Sequence, residues 1–347
     1  MIIQNNTRKQ YLDIAKGIGI ILVVLGHCPQ VYNPLKQWIY TFHMPLFFIV
    51  SGMVWNRLSH EKKGFFSKSF LIDKLYRLIV PCYIWGVFYM ILNAIINREF
   101  SSIMSIGYLL YGSQSGLSHA GSLTSLWFLP CMFLAVCAFE LIQMTAGKTD
   151  KRTPLLLISI VTAIIGIFLP RISGGYPWSL DVAFLAVAFM LFGYLGEEYC
   201  ERIKNAWALG TIAIMAAILL TLTFGLNLPY VNINNVDMAG RYLGKPLLYF
   251  LDAVAGSIAV LSASRLLEKK SAINHGLAYL GKKTIPVFII HKPVVQVLGK
   301  LLYRVGIPDV VTVIVSVVVA LGISIVAYKI IERVFPAAFG ERRDTRM

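Results

Sequence analysis

Apolar stretches of about twenty residues recur from one end of this chain to the other, the length at which a helix crosses the hydrocarbon core of a bilayer. A chain of 347 residues that is 57% hydrophobic and only 14% charged would not need so many of them to build one soluble core. In hydrocarbon every backbone N–H and C=O must be bonded within the protein, which restricts such runs to helices. The sequence therefore predicts an all-α fold, a polytopic integral membrane helix bundle forming a single transmembrane domain over residues 1–347. About ten spans are expected, near 14–32, 38–55, 78–96, 126–146, 154–170, 181–195, 207–225, 246–264, 284–302 and 310–330. The weakest are 181–195, which is short, and 284–302, which His291-Lys292-Pro293 interrupts. No segment between spans is long enough to fold alone, so any chemistry belongs in or at the bundle.

The net charge of +15 raises the question of nucleic acid, but the placement of the charges answers it differently. With the N-terminus inside, twenty-two Lys and Arg fall in cytoplasmic segments, among them Lys74, Arg77, Arg265 and Arg333. Six fall outside: Lys36, Arg98, Arg171, Arg241, Lys245 and Arg304. This asymmetry places both termini in the cytoplasm. It implies a basic face toward anionic membrane lipids and argues against nucleic-acid binding, since no basic domain stands outside the spans. The five cysteines form no loop-borne disulfide framework, no metal-ligand spacing is visible, and the short polar N-terminus carries no small-residue cleavage site. No clear internal repeat is present, which weakens a transporter reading without removing it.

The first span carries a polar stripe. Asp13, Lys16 and His27 lie in one apolar run, and at about 100° per residue the eleven steps from Lys16 to His27 return within roughly 20° of the same azimuth. Ionisable groups inside a bilayer are costly and normally face a cavity, a path or a bundle interior. His43 lies near the outer start of the next span, at a depth that matches His27, and the short link at 33–37 makes the two helices antiparallel neighbours. Both imidazoles can reach one cavity, although each could equally serve only as a hydrogen bond between helices. Asp252 falls near the same depth in span eight, where it could orient an imidazole or hold a substrate, or make a structural hydrogen bond. His291 is placed nearer the inner half of span nine. Trp127 could stack on a ligand or belong to the interfacial aromatic belt, and Lys300 and Lys329 read as snorkelling side chains.

The run Asp13-x-x-Lys16-Gly17 through Val-Val-Leu-Gly-His27, followed by Phe42-His43-Met44-Pro45-Leu46-Phe47-Phe48 and Ser51-Gly52, resembles the acyltransferase-3 family of bacterial membrane O-acyltransferases, in particular its fucose 4-O-acetylase-like branch. Weaker echoes follow in Lys74-x-x-Arg77 with Pro81, in Ser125-Leu126-Trp127 and in Ile290-His291-Lys292-Pro293, so the likeness runs along nearly the whole chain. Lys16 takes the place of the family's usual arginine, which keeps the charge and loses the bidentate fork.

The resemblance implies transfer of an acetyl or other short acyl group from cytosolic acetyl-CoA to a hydroxyl of a cell-envelope or exopolysaccharide sugar, in the bacterial cytoplasmic membrane. The residues suit that chemistry: an imidazole can take the proton of a hydroxyl as it attacks a thioester. His27 and His43 are the expected catalytic residues. Asp13, Lys16, Lys74 and Arg77 are expected to line the entrance for anionic CoA, and Trp127, Asp252 and His291 to bind substrate; no metal is expected. A transporter or flippase of envelope glycan precursors would use the same polar core, and a membrane partner subunit would use it for assembly. The sequence does not fix the oligomeric state.

Overall fold

The computed structural model describes residues 9–55, 64–97, 103–120, 124–145, 152–230, 236–268 and 271–342. The described residues are mostly helical, and their only strand-like pairing is an isolated antiparallel bridge between Asp237 and Tyr242. In chain order the helices are α1 (Gln10–His27), α2 (Asn33–Tyr40), α3 (His43–Met53), α4 (Lys68–Lys74), α5 (Val80–Asn97), α6 (Ile103–Tyr111), α7 (Gln114–His119) and α8 (Phe128–Thr145). Then follow α9 (Arg152–Phe168), α10 (Leu180–Arg202), α11 (Ala206–Asn227), α12 (Pro246–Leu267), α13 (Ser271–Lys282), α14 (Thr284–Arg304) and α15 (Asp309–Val334). A π-helical turn, Leu75–Ile79, joins α4 to α5.

Eight helical segments among the described residues are long and apolar enough to cross a membrane: α1, α4 through α5, α8 with its 3-10 lead-in, α10, α11, α12, α14 and α15. The two spans expected to be weak are well formed. α10 runs for 23 residues and α14 continues through Pro293 for 21. The short elements lie elsewhere. α9 has 17 residues, and the segment expected to be the second span is broken into α2 and an 11-residue α3. Pro45 explains the break: it has no N–H for the carbonyl of Thr41 and its ring would clash there, so it is accommodated in the first turn of a new helix. At 1.5 Å per residue α3 is roughly 17 Å long, too short to span hydrocarbon alone and suited to the bundle interior.

Packing separates a centre from a rim. Only 22% of the apolar window of α15 and 28% of that of α11 is buried, whereas α10 reaches 67%, so α15 and α11 present their apolar faces to lipid while α10 sits inside. The central crossing of α3 and α10 is reciprocal. A Cβ on Gly52 would lie 1.9 Å from the Met190 carbonyl oxygen, and one on Gly193 2.1 Å from that of Ile49, so backbone meets backbone as small residues permit in membrane bundles. α1 is held against α13 in the same way, through Gly17 at Leu277 and Gly281 at Asp13. Inside the bundle Ser257, Ser264 and Ser324 each donate to the carbonyl four residues earlier, which leaves no hydroxyl of theirs unsatisfied in the apolar interior.

Candidate active site

The break between α2 and α3 places His43 at the first position of α3, beside the last residue of α1, His27. Each imidazole is fixed from its own helix: His27 Nδ1 lies 2.8 Å from the Val23 carbonyl oxygen and His43 Nδ1 2.9 Å from that of Ile39. His291 in α14 repeats the device with Val287, at 3.0 Å. A carbonyl can only accept, so in the neutral rings the proton sits on Nδ1 and the basic lone pair on Nε2. The orienting partners are therefore backbone carbonyls. Asp252, expected as a possible orienter, instead accepts from Thr223 across α11 and α12, with Oδ2 buried and unpartnered.

The rings converge. His27 and His291 meet edge to face with centroids 4.9 Å apart, and Tyr40 stands between His27 (5.9 Å) and His43 (4.9 Å). His291, expected nearer the inner half of its span, lies in the first half of α14, and its ring meets that of His27 at the end of α1. It is fully buried behind His27, with Nε2 unpartnered. Among the described residues no three His, Cys, Asp or Glu side chains converge to hold a metal ion.

His27, Tyr40 and His43 open onto a cavity of about 480 Å³ whose wall is completed by Lys36, Gln114, Thr124, Trp127, Asp237 and Lys292, among others. Trp127 therefore lines the same cavity as the histidines. The sequence reading missed Lys36, Tyr40, Gln114, Asp237 and Lys292. Lys292 carried a readable signal, since it is a lysine inside an apolar run; it donates to the Thr124 hydroxyl. Asp237 accepts from Gln114 Nε2 at 2.7 Å and from the Ala239 N–H at 2.9 Å. Burial pushes its carboxyl above the ordinary carboxylate range, against the pull of those donors and of the Lys292 ammonium. Burial likewise pulls the Lys36 ammonium below its usual range, with Cys28 acting the other way, and Lys36 sits 5.7 Å from the centre of the Tyr40 ring.

The basic residues expected near the donor lie apart from this cavity. Lys16, eleven residues before His27 and so about 16 Å along α1, pairs with Asp13 at 2.7 Å; Asp13 is buried and Lys16 half-buried. At the start of the third apolar run Arg77 Nε pairs with Asp73 at 2.9 Å and Lys74 lies 3.7 Å from the same carboxylate. The Arg77 side chain remains 64% exposed, so its outer guanidinium nitrogens stay open to an anion.

Residues 9–329 match a family of proteins described as "Acyltransferase domain". Two curated relatives, each called "Nodulation protein NolL", share shorter segments. The protein from Sinorhizobium fredii is 46% identical over 57 residues, covering 14% of this chain and 16% of its own length. The protein from Mesorhizobium japonicum is 33% identical over 93 residues, covering 23% of each. The chain thus aligns with less than a quarter of the length of either relative. No solved structure matches.

Proposed function

The chain belongs to the acyltransferase-3 family, and on that premise we propose that this membrane acyltransferase moves an acetyl or other short acyl group from acyl-CoA to a hydroxyl of a cell-envelope sugar. One observation carries the reading: a half-buried imidazole, His27, whose Nδ1 is tied to its own helix and whose ring edge faces a polar cavity beside a lysine. His27 Nε2 takes the proton of the acceptor hydroxyl as its oxygen attacks the thioester carbonyl. The tetrahedral oxyanion is stabilised by the Lys292 ammonium, which has two N–H groups beyond the one given to Thr124. Collapse breaks the C–S bond, and the proton held on His27 leaves with the CoA thiolate.

The rest of the wall suits a sugar. Asp237 and Gln114 offer an acceptor and a donor to hydroxyls, and Trp127 an apolar face for the ring. His43, joined to His27 through Tyr40, positions the acceptor. CoA is assigned to the other end of α1, with Lys16, Lys74 and Arg77 toward its phosphates and Asp13 setting the Lys16 side chain; the pantetheine arm then covers the roughly 16 Å from Lys16 to His27. The charge asymmetry supports a histidine cavity on the outer side of a bacterial cytoplasmic membrane with CoA on the inner side.

The test is purified protein in nanodiscs given acetyl-CoA labelled in the acetyl group together with isolated envelope glycan. Label appearing on glycan hydroxyls with stoichiometric release of CoA is the expected result. Label that stays on CoA, with glycan carried unmodified across the bilayer, would replace the enzyme by a transporter.

A further inference from the structure

A second chamber of about 300 Å³ adjoins the histidine cavity and shares Ser125, Lys292 and Gln296 with it. It lies between α5 and α14, and its outer lining is lipid-facing: Ile96 is 68% and Val297 56% exposed. Along α14 the positions Lys292, Gln296 and Lys300 recur at four-residue steps, a polar stripe on a helix that borders lipid. Among the described residues no acidic side chain lines the chamber. The gap has a local cause. Pro293 cannot donate to the Ile289 carbonyl, and the Tyr89 hydroxyl of α5 takes that place at 3.1 Å, so the two helices are joined there by one hydrogen bond with the chamber beside it.

An exposed lysine at a helix end would ordinarily be read as snorkelling. Here it ends a stripe that leads from lipid into a polar catalytic cavity, and a ligand that fits must have an apolar tail, an anionic group and a polar head in that order. We infer that the chamber is a lateral entrance for an acceptor sugar linked through phosphate to a long-chain lipid. The tail lies against Ile96 and Val297, the phosphate on Lys300, and the sugar passes Gln296 and Lys292 to reach His27. This rests on the acyltransferase reading for the identity of the sugar as acceptor, while binding of the lipid phosphate does not depend on catalysis.

The experiment measures undecaprenyl phosphate retained by the full-length protein after release from phosphatidylcholine nanodiscs doped with that lipid, counted by native mass spectrometry. Phosphatidylglycerol and glucose 1-phosphate serve as competitors. Wild type and His27→Ala should retain the lipid equally. Lys300→Gln, which removes the charge, and Val297→Trp, which fills the mouth from the lipid side, should each lower retention about tenfold. Displacement by phosphatidylglycerol at equal mole fraction would reduce the chamber to a headgroup site, and displacement by glucose 1-phosphate would reduce it to a free-phosphate site; either overturns the inference. So does wild-type retention in both Lys300→Gln and Val297→Trp. A protein that retains the lipid yet transfers no acyl group contradicts the enzyme reading alone.

Discussion

Lys292 and Asp237 face one cavity with opposite tasks. The Lys292 ammonium is the cation nearest in sequence to the histidine cluster, and in the account above it receives the oxyanion; Lys292→Met keeps the length and removes the charge. Turnover should fall by about 10²- to 10³-fold with little change in the affinity for acetyl-CoA, measured under saturating donor. Asp237 tests the acceptor side. Because burial raises its folded-state pKa, the protonated form is favoured by folding, and that stability is present below the unfolded pKa and lost as pH rises through the folded one. Asp237→Asn mimics the protonated form and keeps an oxygen for Gln114. It should melt above wild type at neutral pH, with the gap closing on acidification, while the KM for acceptor rises; a variant that melts lower at every pH would show the carboxylate to be structural. The placement of His27 and His43 was legible in the sequence because an imidazole in an apolar run is costly, helical spacing puts His27 on a face with Lys16, and His43 falls at a matching depth on the next run. Asp237, Gln114 and Lys36 were not, because they come from a loop and short helices that carry no periodicity and are placed only by tertiary packing.

At the scale of elements, proline decides where helices stop and where they only loosen. Pro45 breaks a membrane-length run into α2 and α3 and so delivers His43 to the end of α1, whereas Pro293 leaves α14 continuous because Tyr89 bonds the carbonyl it frees. Hydropathy alone cannot tell these cases apart, which is why the break was expected in span nine and occurs in span two. Tyr89→Phe should cost about 1 to 2 kcal/mol, the penalty for leaving a buried carbonyl unpaired. Adding Pro293→Ala returns an N–H to Ile289 and should recover most of that loss in thermal unfolding of the double variant; equal loss in the single and double variants would remove Tyr89 from this role. The crossing of α3 and α10 was partly readable, since Ser51-Gly52 lies in the quoted motif. Its partner Gly193 is unremarkable in sequence and gains meaning only from the Ile49 backbone that lies against it.

For the whole molecule, the all-α membrane bundle followed from composition and run length, while the exact pairing of helices did not, because lipid-facing and buried apolar helices look alike in sequence. The charge asymmetry makes orientation testable. A reporter fused after Met347 should be active only in the cytoplasm, and tags near Ser115 and Asn234 should be labelled from outside; Asn234 and Met347 fall outside the described residues. Labelling of the C-terminus from outside would invert the assignment of donor and acceptor ends. The central claim, that His27 is the base at the meeting point of α1, α3 and α14, is reached most directly by acetyl transfer from monodisperse His27→Ala and His27→Gln proteins in nanodiscs. The account requires intact folding and donor binding, turnover lowered by about 10²- to 10⁴-fold in both, and a smaller loss in His43→Ala. Near wild-type turnover in either His27 variant would contradict it.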